Sequence, residues 1–273
     1  MKICAITGSS GILGKKVLQN LPFKFLIFRG DISNKKNVES WIFKNNFDLF
    51  IHFAAIVPTN IVSKNYKKAY QVNVVGTKNV IYSIMKKKIK PEWFFYASTS
   101  HVYKIKYKKE KIKENSLTKP STEYGSTKLQ GEKFVHKLKK KNIKFCIGRI
   151  FSFTDKYQKI PFLIPTLNKK INNKKNEIIK LSNLNHYRDF LPSIKIVKII
   201  YALYLKKASG IINIGGGNFI SLKGIGKLIS KKYYKKIEFV DNKNKSFLIA
   251  NNSKLKKYGI KFKKYNKKLS FFY

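Results

Sequence analysis

An α/β fold built on a doubly wound parallel sheet, with a smaller C-terminal lobe, is predicted by three features of the sequence. Apolar runs of strand length alternate with stretches of helical periodicity over the first 150 residues. The first run, Ile3-Cys4-Ala5-Ile6-Thr7, ends directly in Gly8. After about Phe151 the alternation gives way to a stretch punctuated by Pro161 and Pro165. Strand–helix alternation implies a parallel sheet whose right-handed crossovers place helices on its faces.

Each element has its own local reason. Ile3–Thr7 is short and apolar, as suits a strand buried on both faces. A helix is predicted over Ile12–Asn20, directly after the glycines, and a second strand over 25–28. Residues 34–45 carry helical spacing, with Val38, Trp41 and Ile42 on one face. Strands are predicted at 49–55 and 93–98, with a long helix at 67–88 between them. A helix at 122–141 and a strand at 143–150 complete the regular part. Beyond it, 168–176 reads as a polar, lysine-rich loop, 194–206 as a helix, 211–214 as a strand and 222–231 as a helix. The tail from Lys256 is basic and aromatic and reads as a solvated, partly packed end.

Size and composition bound the class. A chain of 273 residues suits one α/β domain with an appended lobe, or two small domains. With 43% apolar and 14% aromatic residues it can build a sizeable core, which excludes a wholly disordered protein. The longest apolar run, 49–57, is broken by His52 and ends at Pro58, so no membrane insertion is expected. The apolar start meets Thr7-Gly8 too soon for a signal peptide. The net charge is +46, from 59 basic and 13 acidic residues. Such a charge suits a nucleic-acid binder. Yet only Arg29, Arg149 and Arg188 are arginines, and the lysines are spread along the whole chain. Lys, Asn, Ile, Phe and Tyr share AT-rich codons, so compositional drift accounts for the pattern without a specific nucleic-acid partner. The charge still attracts anionic substrates. Cys4 and Cys146 fall in the first and fifth predicted strands, with another strand between them. No disulfide is expected, and a cytoplasmic location fits.

The chemistry concentrates at three places. Gly8-Ser9-Ser10-Gly11-Ile12-Leu13-Gly14 joins the first strand to the first helix. Glycines there permit a tight turn and let backbone amides approach a pyrophosphate at the helix N-terminus. With a strand before it and a helix after it, the turn points to a bound dinucleotide. Arg29 closes the second strand, where an adenosine ribose lies in such folds, and can pair with a 2′-phosphate. Asp31 can bond the ribose or adenine; the alternative is a surface pair in a turn. Tyr124 and Lys128 share one helical face, and a nearby ammonium is expected to lower the phenol from about 10. That would make Tyr124 a general acid or base. Alone, Tyr-x-x-x-Lys in so lysine-rich a chain reads as a solvated face. It gains meaning beside the glycine turn and beside Ser98-Thr99-Ser100, which ends a predicted strand where ligands of such sheets bind. No metal site is predicted.

Together these residues resemble the extended short-chain dehydrogenase/reductases, in the NAD-dependent epimerase/dehydratase group that acts on nucleotide sugars. Thr7-Gly8-x-x-Gly11-x-x-Gly14 is similar to that family's cofactor turn, and His52-Phe53-Ala54-Ala55 to the strand under the cofactor. Asn73-Val74-Val75-Gly76-Thr77 resembles its central helix motif, and Ser98-Thr99-Ser100-His101-Val102-Tyr103 its Ser/Thr segment. Arg188-Asp189-Phe190, Asn213-Ile214-Gly215-Gly216-Gly217 and Ser253-Lys254-Leu255 with Gly259 resemble markers of its C-terminal part. Gly30-Asp31-Ile32-Ser33-Asn34, directly after the second strand, is similar to the shortened arrangement of dTDP-4-dehydrorhamnose reductases.

The resemblance implies a Rossmann-type domain over 1–151 and a mostly substrate-binding lobe over 152–273, some of whose segments return to the first. It implies cofactor contacts from Gly8, Ser10, Gly11, Ile12, Leu13, Gly14, Arg29, Asp31, Ile32, Phe53, Ala54, Ala55 and Asn73, with Tyr124 and Lys128. The cofactor is NADP or NAD, with Arg29 favouring NADP. Thr99 then bonds the reacting sugar oxygen, Tyr124 exchanges its proton, and Lys128 holds the nicotinamide ribose. Ser100, His101, Ser152 and Arg188 face a nucleotide-diphosphate sugar, Arg188 at the diphosphate. The implied reaction is C4 epimerisation or 4-keto reduction, in a homodimer formed through a helix bundle.

Three departures bear on the reaction. Dehydratases of this group have Asp-Glu after the catalytic Thr, where this chain has Ser100-His101. Ser152 stands where many epimerases have Asn, and Lys104 replaces the usual Gly after Val-Tyr. Among the histidines, His52 reads as a packed strand residue, His136 as exposed and His186 as a neighbour of Arg188. His101, two residues after Thr99, points to the same cleft as a second proton donor or a structural group. The competing reading is a catalytically idle NAD(P)-binding regulator or an RNA-associated relative; an intact Thr99/Tyr124/Lys128 set argues against it.

Overall fold

The structure, a computed structural model, describes residues 1–172, 178–240 and 244–262. In chain order the first part contains β1 (Ile3–Thr7), α1 (Ile12–Asn20), β2 (Lys24–Ile27), α2 (Lys35–Lys44) and β3 (Leu49–His52). It continues through α3 (Thr59–Lys64), α4 (Tyr66–Tyr70), α5 (Gly76–Lys86), β4 (Trp93–Thr99), α6 (Glu123–Val135) and β5 (Lys144–Ile150). The second part holds β6 (Ser152–Thr154), α7 (Leu163–Ile171), β7 (Ile178–Ser182), β8 (His186–Arg188), β9 (Phe190–Pro192), α8 (Ser193–Leu205) and β10 (Gly210–Ile214). It ends with β11 (Ile220–Ser221), α9 (Leu222–Lys232), β12 (Lys236–Val240), β13 (Ser246–Leu248) and α10 (Ser253–Lys257).

Six strands form one parallel sheet in the order β2, β1, β3, β4, β5, β10. Successive side chains face opposite layers. Cys4, Ile6, Trp93 and Phe95 pack with Val17 of α1 and Ile196, Ile200 and Leu203 of α8. Ala5, Phe94 and Tyr96 pack with residues of α2, α5 and α6. Burial on both faces is why these strands are apolar runs without alternation. The order reverses direction between β1 and β3, so their C-terminal ends open a crevice.

The lobe is made of shorter pieces. β8 pairs antiparallel with β11 and parallel with β13. β7 pairs with β12, and β6 with β9. α7 and α9 bury Ile164, Leu167, Ile171, Ile225 and Ile229 against β7 residues Ile179 and Leu181. Although β10 and α8 lie late in the chain, they complete the sheet and one of its helical layers.

Several boundaries differ from those predicted. β3 stops at His52 rather than residue 55, because Phe53 and the residues after it leave the sheet. The helix expected at 67–88 is broken: α3 precedes it, the Asn65 side chain caps α4, and a π-type turn at Gln71–Val75 leads into α5. α6 starts under a Thr122 cap and tightens to a 3₁₀ turn at His136–Lys141, which Asn142 ends at φ 55°. Residues 168–171 are the last turn of α7 and not loop, while 173–177 lie outside the described residues. Of the tail, Lys256 and Lys257 belong to α10, and 263–273 lie outside the described residues. Cys4 and Cys146 are buried and free; two strands, β3 and β4, separate them rather than one. Among the described residues no helix is long and apolar enough to cross a membrane.

Candidate active site

A cavity of about 730 Å³ opens at the C-terminal ends of β1, β3, β4 and β5 and is closed on its far side by the lobe. Its floor at β1 is the glycine turn. Gly8 has φ +71°, and a Cβ there would lie 2.5 Å from the backbone nitrogen of Ala54. A Cβ on Gly14 would lie 2.3 Å from the Gly8 carbonyl oxygen. Glycine at these two positions lets β1, the turn and α1 close up. The N-cap of α1 is Gly11, with no side-chain cap, so the helix presents bare amides to the cavity. This turn fits the anionic linkage of a dinucleotide.

Opposite the turn stand the polar side chains. β4 delivers Thr99, and the 3₁₀ turn after it carries Ser100 and His101. α6 supplies Tyr124 and Lys128 from one face, both buried. The Thr99 hydroxyl hydrogen-bonds to Tyr124, yet burial dominates and pushes the phenol up to about 12. Burial also pulls Lys128 down to about 7. The expected depression of the tyrosine by the lysine is therefore absent: a low-dielectric wall disfavours both charged forms. The Lys128 Nζ sits over the Tyr96 ring at 4.1 Å from its centre.

The carboxylate nearest in sequence is engaged elsewhere. Glu132, one turn after Lys128, takes Arg149 Nε and Nη2 at 3.0 and 2.7 Å and accepts the Ser98 hydroxyl as well. Arg149 also donates to the Glu114 carbonyl at 3.2 Å and stacks on Tyr103. Tyr103 donates to Asn213 at 2.7 Å, which ties the wall to β10.

The lobe contributes Arg188 to the cavity lining. Its Nη1 donates to the Tyr187 and Ser246 carbonyls at 2.8 and 3.3 Å and to the Ser246 hydroxyl at 3.2 Å. No carboxylate among the described residues pairs with it, and burial lowers its value to about 10. The adjacent Asp189 is occupied by the backbone N–H groups of Gly216, Gly217, Asn218 and Ala250. A half-buried guanidinium that lines the cavity and pairs with no carboxylate among the described residues suits an anionic ligand.

Of the predicted site residues, Gly8, Ser10, Gly11, Ile12, Leu13, Gly14, Phe53, Ala55, Thr99, Ser100, His101, Tyr124, Lys128, Ser152 and Arg188 line this cavity. Five do not. Arg29 and Asp31 are exposed at the end of β2, where Asp31 accepts the Ser33 N–H and hydroxyl at 2.9 and 2.8 Å. Asp31 borders a shallow depression with Asn65, Lys67 and Lys68. Ile32 is buried under Gly76. Ala54 meets the glycine turn through its backbone. Asn73 is fully buried and bonds both backbone groups of Ile56 and the Thr127 hydroxyl, so it shapes the loop after β3. His52 is wedged between the Thr7 and Thr77 hydroxyls at 2.6 and 3.0 Å, as a packed strand residue. His186 bonds Ser246 at 3.0 Å and does not line the cavity. Sequence reasoning missed Asn60, Gln158, Phe162 and Leu222 in the lining; Pro58 and Pro161 beside them were the available signal.

A sequence model described as the NAD dependent epimerase/dehydratase family matches residues 4–215. The chain is 30% identical over 257 residues to a GDP-6-deoxy-D-talose 4-dehydrogenase of Aggregatibacter actinomycetemcomitans, covering 89% of this chain and 83% of that one. It is 30% identical over 129 residues to a UDP-glucose 4-epimerase of Pisum sativum, covering 47% and 35%. Among solved structures, RMD from Pseudomonas aeruginosa complexed with NADPH matches with a TM-score of 0.84 at 18% identity, covering 98% of this chain and 94% of that one. A Thermus thermophilus UDP-glucose 4-epimerase in complex with NAD matches at 0.82 and 17% identity, covering 97% and 96%.

Proposed function

The chain belongs to the NAD-dependent epimerase/dehydratase family, and from that premise we propose that it is an oxidoreductase acting at C4 of a nucleotide-diphosphate sugar, by 4-keto reduction or 4-epimerisation. The observation that carries this reading is the convergence of Thr99, Tyr124 and Lys128 in one cavity with the unpaired Arg188. The names of the 4-dehydrogenase and the 4-epimerase among its relatives support C4 as the reacting carbon.

A nicotinamide dinucleotide, seated along the glycine turn and Phe53 to Ala55, supplies or accepts the hydride when bound. The chain's own residues do the rest. Thr99 orients the reacting oxygen, and Tyr124 Oη gives a proton to that oxygen or takes one from it. Lys128, held over Tyr96 with no carboxylate of its own, bonds the cofactor ribose and biases the Tyr124 proton. Arg188 pairs with the diphosphate and sets the sugar's depth. Ser100 and Ser152 offer hydroxyls along the same wall. Residues 1–151 mainly hold the dinucleotide and 152–273 mainly the sugar nucleotide. Arg29 favours NADPH over NADH from its exposed place at the end of β2. Tyr82 of α5 and Phe134 of α6, half-buried on one outer face, form the surface for a second copy.

Ser100-His101 supplies no carboxyl pair for water elimination, so 4,6-dehydration is excluded from the reading. The test is purification under mild conditions, followed by incubation with nucleotide-glucose and 4-keto sugar nucleotides. Tightly retained NAD(H) with interconversion of C4 epimers supports the epimerase, and exchangeable NADPH consumed by a 4-keto sugar supports the reductase. A 4-keto-6-deoxy product from a nucleotide-glucose would sink both.

A further inference from the structure

His101 lines the cavity, yet the chemistry above assigns its imidazole no proton. It stands on the turn after β4, where its backbone N–H donates to the Thr99 hydroxyl at 3.3 Å. α6 locks that turn: a Cβ on Gly125 would lie 2.3 Å from the His101 carbonyl oxygen. The imidazole lies edge-on to the Tyr124 ring, with centroids 5.9 Å apart and planes at 68°. Across the same cavity β8 places Arg188, whose charge acts on it. Besides His101, the titratable groups that line the cavity are Tyr124 and Lys128 from α6 and Arg188 from β8, with hydroxyls nearby from Thr99 at the end of β4 and from Ser100 on the turn. None of them is a carboxylate. Burial first and Arg188 second hold the imidazole down to about 4, so the free protein carries it neutral at pH 7.

Resting on the reading of Arg188 as the seat of the diphosphate, we propose that His101 is a second proton-carrying residue of the cavity, coupled through Arg188 to the bound anion. When a diphosphate sits on the guanidinium, the proton affinity of His101 rises, so that between its free and its bound titration points a ring nitrogen takes a proton from solvent on its lone pair, and no other bond changes. The cause is Coulombic. The anion cancels the guanidinium's repulsion and adds negative charge to the same low-dielectric space. The imidazolium then stands beside Tyr124 and can replace the proton that the phenol gives up; in the opposite direction the neutral ring accepts it. By reciprocity, protonated His101 binds the diphosphate more tightly by the same factor.

The test follows the side-chain signals of the four histidines, His52, His101, His136 and His186, by NMR on the full chain. His101→Gln assigns the His101 signal, and inorganic pyrophosphate is the probe. His101 is expected to titrate higher by roughly one pH unit or more when saturated, a tenfold coupling. In Arg188→Gln it should titrate higher without the probe and move no further. Pyrophosphate that binds wild type, is weakened by Arg188→Gln, and leaves the His101 titration unmoved overturns the coupling alone. Pyrophosphate that fails to bind, or binds equally to Arg188→Gln, overturns the seat of the diphosphate and the coupling with it. Should Arg188→Gln not fold, calorimetry between pH 4 and pH 5 in two buffers of different ionisation heat gives the protons taken up on binding. Wild type should take up more than His101→Gln, and equal uptake overturns the proposal.

Discussion

Arg149 and Lys128 are both buried cations, and Glu132 acts on both, but only Arg149 holds the carboxylate. On the sheet side of α6 the charge is closed off by a bidentate pair, a serine hydroxyl and a backbone carbonyl. On the cavity side Lys128 has an aromatic ring, and Arg188 has carbonyls and a hydroxyl. Burying a charge without its counter-ion is unfavourable. A paired cation therefore holds the structure together, while on the function proposed above a cation beside the cavity with no carboxylate among the described residues is completed by a ligand.

The largest effect should come from the cavity side. Tyr124→Phe removes only a hydroxyl, so cofactor binding should survive while turnover falls roughly 10²–10⁴-fold. Lys128→Met should do more and weaken cofactor binding too, and the pair should be far from additive because both act on one proton transfer. A double-mutant cycle on turnover, with cofactor affinity measured alongside, checks this. Near-normal turnover in Tyr124→Phe would move the search to His101.

Stability should rank the same cations in the opposite order. Arg149→Met leaves Glu132 buried and unpaired and should lose about 3–5 kcal/mol in urea unfolding. Lys128→Met should instead gain stability at neutral pH and below. In the folded protein burial holds Lys128 down to about 7, below its ordinary 10.5. Between those values the unfolded chain binds the extra proton, so wild-type stability contributed by this group rises with pH. The advantage of Lys128→Met over wild type should thus shrink between pH 6 and pH 9. An advantage that grows with pH would show that Lys128 is paired after all.

Arg188→Met tests the third cation. Pyrophosphate affinity should fall roughly tenfold or more, as for a lost charged hydrogen-bond partner, while the urea midpoint stays or rises. A large stability loss would place Arg188 with Arg149. The smallest effect concerns Arg29, which is exposed. Arg29→Ala should weaken NADPH by about tenfold at low salt, the scale of one screened phosphate contact, and leave NADH nearly unchanged. Equal losses would show that it meets no 2′-phosphate.

The sheet was legible in the sequence because burial on both faces leaves little room for polar residues: Leu49, Phe50 and Ile51 announce a strand by themselves. Its boundaries were less so, since Phe53 and Ala54 continue the apolar run after the backbone has turned toward the cavity. In the lobe, strands of two or three residues such as β8, β9 and β11 are too short to show any period. α7 was hidden by Asn168, Lys169 and Lys170 on its outer side, although Ile164, Leu167 and Ile171 keep helical spacing. The glycine turn and the Tyr124/Lys128 pair could be placed at the cavity because local spacing carries them. Asn73 shows the limit: its type and position suggested a ligand contact, and its amide is satisfied by Ile56 and Thr127, partners that only the folded chain brings near.

That α8 and β10 come late in the chain has a consequence for how the protein is made. Trp93 donates its indole N–H to the carbonyl of Ala208, 115 residues later, and Phe23 stacks edge-on with Tyr201 and Tyr204. On a ribosome adding about 5–20 residues per second, the first strands wait on the order of 10 s for the helix that covers them. Throughout that interval the part of that face not covered by α1 is bare. The emerging chain is then a client for holding factors, and a pause or truncation before residue 205 would leave an aggregation-prone fragment rather than a working half.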